Sequence, residues 1–132
     1  MLFRSNVLLY VASSDAAKAQ RAERLLEDGG TISVQVLNET INVARRKMGM
    51  SWQETRDFLS MLRGLLIVES VTVETHETGL VLAERHGLSI FDAMIAASAL
   101  QAGCDTLLSE DMQHGAVLDK RLRVVNPFRS GR

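Results

Sequence analysis

Short apolar runs alternate with helical patterns along this chain, and that alternation confines it to an α/β architecture with a mainly parallel sheet. Residues 2–4, Thr31-Ile32-Ser33, Leu65 to Val68, Thr106-Leu107-Leu108-Ser109 and Leu122-Arg123-Val124-Val125 read as strands. The run from Leu65 to Val68 is expected to be buried. Helices are expected from Asp15 to Glu27, from Ser33 to near Met48, from Ser51 onward, from Val73 to His86, and from Ser89 to Gly103. Gly29-Gly30 and Gly87 supply C-terminal stops. Ser51-Trp52-Gln53-Glu54 has the form of a capping box. In the Ser33 helix, Leu37, Ile41, Ala44 and Met48 form the expected inner stripe; in the Ser51 helix, Phe58, Leu59 and Leu62 point inward. Val7 to Ala12 fits strand or helix, because its periodicity does not separate them.

The chain has 132 residues, 46% of them hydrophobic, enough for one domain with a real core. We expect a single domain over residues 1–132. The net charge of -1 argues against a surface that coats nucleic acid broadly, though not against a local basic groove. One cysteine, Cys104, excludes an internal disulfide framework. No apolar run approaches the roughly 18 residues of a membrane span, and the first residues lack the pattern of a signal peptide. A cytoplasmic location is the expectation, with no membrane partner.

The acids that carry chemistry lie in separate segments. Arg4 follows the first strand, and Asp111 comes shortly after the Thr106 strand. Parallel sheets gather their sites at the carboxyl ends of the strands, so both belong at one edge. Asp92 sits near a helix start that lies at that edge too. Glu39 is flanked by Val36 and Val43 on its helix. Local roles compete at each position: a capping-box acid for Asp92, a surface acid for Glu39, a solvated turn for Asp111. Convergence of all three explains more than three coincidences. Close carboxylates repel by about 4 kcal/mol per pair at an effective dielectric of about 20, so such a cluster is generally kept for a cation. Magnesium and manganese prefer carboxylates and retained waters. A bound metal activates water and neutralises charge on a phosphate.

Four segments together resemble the motifs of the PIN domain, in order and over nearly the whole chain. They are Phe3-Arg4-Ser5-Asn6-Val7-Leu8-Leu9-Tyr10, Ile32 to Glu39, Leu88 to Ala99 around Asp92, and Gly103 to Met112 with Asp111. A small chain of this kind is similar to the VapC toxins of type II toxin–antitoxin pairs. The resemblance implies a three-layer α/β/α sandwich and a Mg2+- or Mn2+-dependent endoribonuclease acting on tRNA or another structured RNA. It also implies a homodimer and inhibition by a cognate antitoxin protein. On this resemblance Glu39, Asp92 and Asp111 are the catalytic and metal-binding acids, with Ser5, Asn6 and Ser109 in support. Arg4 stands where the family carries its first aspartate. Arginine has no acceptor atom and stays charged, and its planar fork suits a carboxylate. Arg4 is therefore expected to take the cation's place, pair with one of the three acids, and impair metal binding and cleavage. Because the other acids and Ser5-Asn6 remain, the pattern reads as one disarming substitution rather than the drift of an inactive copy.

The alternative function is a catalytically dead homologue that binds an antitoxin or RNA. A phosphoacceptor receiver domain ranks below both, since Lys120, the only late lysine, sits in an unsuitable charged run. Arg45-Arg46-Lys47 and Lys120-Arg121-Arg123 are basic clusters, read as solvated surface with RNA phosphate contact as the sharper alternative. His76, His86 and His114 have no metal-ligand spacing. Cys104 is expected to pack in the core, as are Trp52 and Met61, for which a dimer or antitoxin surface is the alternative.

Overall fold

A computed structural model describes residues 1–129; the last three positions of the expected domain range, 130–132, lie outside the described residues. The chain runs β1 (Leu2–Phe3), α1 (Ser5–Leu8), a 3-10 turn (Leu9–Ala12), α2 (Ala16–Glu27), β2 (Thr31–Ser33), α3 (Val34–Arg46) and α4 (Trp52–Leu65). It continues with β3 (Ile67–Glu69), α5 (Val73–His86), α6 (Ile90–Gln101), β4 (Thr106–Leu108), β5 (Val117–Leu118) and β6 (Leu122–Val125). The ambiguous stretch after Asn6 is thus helical.

The strands form one sheet in the order β3-β2-β1-β4-β6-β5. Every pair is parallel except β5 with β6. The chain steps outward from β1 through β2 to β3, then crosses back to β4 and on to β6. Right-handed crossovers place helices from opposite steps on opposite faces. Accordingly α1 and α4 both pack on α3, with α2 against α4, while α5 packs on α6 and α6 lies across β2, β4 and β6. The result is the α/β/α sandwich.

A parallel sheet covered on both faces needs apolar strands throughout. Leu2, Phe3, Ile32, Leu107 and Val124 are fully buried, and α6 joins them with Ala93, Ile95, Ala96, Ala97 and Ala99. Gly30 has a φ of +151°, and a Cβ there would come within 2.8 Å of both the Met1 carbonyl and Phe3 Cε2. The turn into β2 therefore lies directly on β1, and only glycine fits.

Three expectations need correction. The strand near Val68 is not buried: β3 is the sheet's edge, and Ile67 is 71% exposed. Edge strands have one neighbour, and nothing among the described residues covers the outer side of this one. Trp52 does not pack in the core either; it is 55% exposed and lies under the Arg45 guanidinium, 4.3 Å from its carbon. On α3 the fully buried stripe is Val36, Thr40 and Ala44, while Leu37 and Ile41 are half-buried, as is Met48 beyond the helix end. Thr40 tolerates burial because its hydroxyl donates to the Val36 carbonyl at 2.8 Å. Phe58, Leu59, Met61 and Cys104 are partly buried against the core that contains Leu62.

Candidate functional site

The chain leaves β1 toward one side of the sheet and β4 toward the other, so a crevice opens between their carboxyl ends. Arg4 occupies the first position after β1, and its backbone N–H donates to the Leu108 carbonyl at 3.1 Å. Ser109 occupies the equivalent position after β4, donating to the Val125 carbonyl at 3.0 Å. Asn6 ties the two sides together, since its Oδ1 accepts from the Glu110 N–H at 3.1 Å. Ser109 is fully buried, and its Oγ accepts from the Met112 N–H at 3.2 Å, shaping the loop that carries Asp111. Ser5 is buried beside Arg4.

Arg4 lies at the centre and is only 9% exposed. Its Nη1 donates to Asp92 Oδ1 at 2.7 Å, a charge-assisted bond at the short end of its range. Its Nη2 is 3.7 Å from Glu39 Oε1, close enough for attraction but too far for a hydrogen bond. Arg4 Nε and Glu39 Oε1 are both buried with no hydrogen-bond partner among the described residues. Unpaired buried groups cost about 1–3 kcal/mol each, and a neighbouring donor and acceptor left this way mark a site not optimised for stability alone.

Asp92 reaches Arg4 from the first turn of α6. Ser89 caps that helix through Oγ, accepting from the Asp92 N–H at 3.2 Å. The Asp92 carboxylate bonds to Arg4, not back to the Ser89 backbone, so the capping-box reading does not account for it. Glu39 comes from the middle of α3 and is half-buried. Asp111 is exposed but lines the same cavity of about 340 Å³ as Arg4, Ser5, Asn6, Glu39, Asn42 and Lys47. Asp92 lines a different cavity, with His86, Met112 and Gln113.

Among the described residues, no three His, Cys, Asp or Glu side chains are grouped so as to hold a metal ion. The expected metal set of Glu39, Asp92 and Asp111 is therefore not assembled in this arrangement. The Arg4 guanidinium bonds to Asp92 and attracts Glu39, while Asp111 stays on an exposed loop. The donor set as it stands does not fit a divalent ion.

A second cluster adjoins the first and was not expected. Tyr10 Oη donates to the Glu110 carboxylate at 2.9 and 3.0 Å, and Lys18 Nζ reaches both Glu110 Oε2 at 3.1 Å and Tyr10 Oη at 3.2 Å. The Tyr10 ring meets Phe128 edge-on at 4.6 Å. The hydrogen bond to Tyr10, then Glu110, holds the Lys18 ammonium above its ordinary pKa of 10.5. Nothing in the sequence announced this cluster, because Glu110 lies 100 and 92 positions from Tyr10 and Lys18.

The basic clusters divide. Arg45 is spent on structure, donating to the Met50 carbonyl at 2.6 Å and covering Trp52. Lys47 lines the acid cavity. Lys120, Arg121 and Arg123 lie with Asp105 at the opposite, amino-terminal end of β4. His86 Nε2 and His114 Nδ1 accept backbone N–H bonds from Asp119 and Asn126. No helix among the described residues is long and apolar enough to cross a membrane.

Comparison with known proteins agrees with this layout. No curated protein matches the chain in sequence. Among solved structures, a toxin–antitoxin complex from Klebsiella pneumoniae is similar with a TM-score of 0.72 and 23% identity, covering 96% of this chain and 97% of that one. A VapC toxin of Mycobacterium tuberculosis that cleaves the sarcin–ricin loop is similar with a TM-score of 0.68 and 21% identity, covering 83% and 88%. A VapBC complex of Rickettsia felis bound to a fragment of its promoter DNA gives a TM-score of 0.67 and 18% identity, covering 93% and 95%. At these identities the likeness establishes the fold. The model of the PIN domain matches residues 1–117, a span that contains β1, β4 and all the residues converging on Arg4, and so the chain belongs to the PIN domain family.

Proposed function

We propose that the chain, read as one domain, has the scaffold of a VapC-like endoribonuclease toxin and is silenced at its first acidic position by Arg4. The observation that carries this reading is the 2.7 Å bond from Arg4 Nη1 to Asp92 Oδ1, with Glu39 drawn to the same guanidinium at 3.7 Å. The family's catalytic acids are Glu39, Asp92 and Asp111 on this reading. Two of the three are engaged by an internal cation. Asp111 alone, supported by Ser109, Ser5 and Asn6, does not make a carboxylate cluster able to act on a phosphodiester. The likeness to toxin–antitoxin structures supports an antitoxin as partner, and we include RNA as substrate and a second copy of the chain as further partners, in the cytoplasm.

The test compares this chain with its Arg4→Asp variant in RNA cleavage with magnesium or manganese. The variant is expected to cleave and the parent to show little or no activity. Equal rates would overturn the silencing. Removal of one electrostatic stabiliser from a catalytic site costs about 10²–10³-fold in rate, and a difference of at least that size is expected.

A second reading has its own support. The Arg4–Asp92 pair is well formed around a buried guanidinium, so the fold does not depend on a bound ion to relieve acid repulsion there. A stable protein without cleavage would act as a binding module for an antitoxin or RNA.

A further inference from the structure

Three cations meet at the far end of the sheet from Arg4. Lys120, Arg121 and Arg123 line one cavity of about 300 Å³ with Asp105, Thr106 and Val117. The sheet register builds it. Arg123 on β6 is paired with Thr106 on one side and Val117 on the other. Its N–H donates to the Asp105 carbonyl at 2.9 Å. Leu122 and Val124 are fully buried, while Arg121 and Arg123 are exposed. Side chains along a strand alternate between faces, so both arginines stand on the open one.

Among the described residues, none of these three cations forms an ion pair. Asp105 Oδ1 accepts from the Thr106 hydroxyl at 3.0 Å. Asp119, next to Lys120, is turned to Arg85 at 3.0 Å. Three cations against one carboxylate leave a surplus of two positive charges in the lining. The backbone adds a second, independent sign. Asp119 and Lys120 have φ of 52° and 59°, in a turn closed by the Arg121 N–H on the Leu118 carbonyl at 3.1 Å. Turns with two such residues ordinarily carry Asn-Gly or Asp-Gly. A lysine at the second place is strained, and glycine would relieve it. Strain and like charge both oppose stability here, and a bound anion offsets the second.

We infer that this pocket binds a compact anion with two or more phosphate groups, as in pyrophosphate or the tail of a nucleotide. Its size is at the lower end for small-ligand sites. Guanidinium forks suit phosphate oxygens in pairs, and the lysine adds a point charge. The cations converge on one cavity instead of following a line, which favours a compact ligand over an extended strand. No aromatic side chain among the described residues lines the pocket, so a base gains no stacking surface there. The site is separate from the acids around Arg4, and it stands whether or not the chain cleaves RNA.

Calorimetric titration of the full chain with pyrophosphate, at low salt and without divalent ions, reads the binding. One equivalent is expected to bind. Arg121→Gln and Arg123→Gln should each weaken it about ten-fold or more, the effect of losing a hydrogen bond to a charged group. Arg56→Gln, which lines a different cavity between α3 and α4, should match the parent. Lys120→Gly separates ligand from fold: it should melt at a higher temperature and bind pyrophosphate more weakly. Amide resonances of Asp105, Thr106 and residues 120–123 should shift during the titration, and those around Arg4 should not. Adenosine triphosphate binding as tightly as pyrophosphate makes the phosphates alone the ligand; tighter binding makes a nucleotide the source. The inference is overturned if pyrophosphate does not bind, if Arg56→Gln weakens it as much as Arg123→Gln, if Lys120→Gly binds like the parent, or if the shifts gather around Arg4. A single-stranded oligonucleotide held through Arg121 and Arg123 in place of pyrophosphate would assign them to a nucleic-acid backbone and overturn it as well.

Discussion

Arg4 governs the site through two opposed effects. It removes the repulsion between neighbouring carboxylates, and it occupies the space and charge that the acids would otherwise offer. Deleting it without replacing the charge exposes the first effect. Arg4→Ala leaves Asp92 and Glu39, with side chains 34% and 28% exposed, facing each other around a hole. Breaking a fully buried pair costs about 3–5 kcal/mol, and partial exposure of these acids reduces that to about 1–3 kcal/mol. Urea unfolding should show that loss for Arg4→Ala, with a smaller one for Arg4→Lys, which keeps the charge but not the fork. An unchanged midpoint for Arg4→Ala would mean the pair is not stabilising. Much of this was legible in sequence, because a cation in an otherwise acidic motif set is a discrepancy in residue type alone. The choice of Asp92 as its partner was not, since three acids were equally eligible until the α6 turn was placed against β1. Glu110 was invisible for the same reason: its partners Tyr10 and Lys18 lie about a hundred positions away in the chain.

Helix ends were the most readable elements, and their chemistry explains why. Caps are satisfied within four residues, so the signal and the structure occupy the same window. Ser33, Ser51 and Ser89 each accept the N–H three residues on, and Gly87 takes the left-handed conformation that stops α5. At α4 the box is reciprocal: Glu54 Oε1 accepts from the Ser51 N–H at 2.8 Å, while Ser51 Oγ accepts from the Glu54 N–H at 3.0 Å. That backbone bond holds the Glu54 carboxyl below its ordinary pKa of 4.5. The sign follows directly. The box is fully stabilising above the ordinary value and weakens as pH falls through the lowered one. Ser51→Ala should cost about 0.5–2 kcal/mol, and Glu54→Gln should flatten the acid limb of stability; thermal melts across the acid range would read both. Strands were less legible. β5 is two residues long, its pairing with β6 is set by a turn with Asp119 and Lys120 at φ of 52° and 59°, and neither residue is a glycine that would announce it. The exposure of β3 was also hidden, because an apolar run looks the same at the centre of a sheet and at its edge.

For the molecule as a whole, the Tyr10–Lys18–Glu110 cluster works as a clasp. It joins the 3-10 turn, α2, the loop after β4 and, through the Tyr10–Phe128 contact, the segment after β6. Lys18 is held above its ordinary value by Tyr10 and then Glu110, so its contribution is complete below pH 10.5 and is lost as pH rises through the raised value. Lys18→Met should be less stable than the parent at neutral pH, with the gap closing in strongly alkaline buffer. A gap independent of pH in that range would assign the effect to packing. The sandwich was legible from alternation, because parallel strands need crossover helices and right-handed crossovers leave few arrangements. The place of β1 in that sheet has a consequence in time. Leu2 pairs with Leu107, 107 − 2 = 105 positions later in the chain. At a synthesis rate of about 5–20 residues per second, roughly 5–20 s pass between the emergence of these two strands. Throughout that interval the first strand has no β4 to lie against, and Arg4 has no β4 carbonyl for its backbone N–H. The pocket is thus completed only after Asp111 has emerged from the ribosome, and a growing chain cannot present it early.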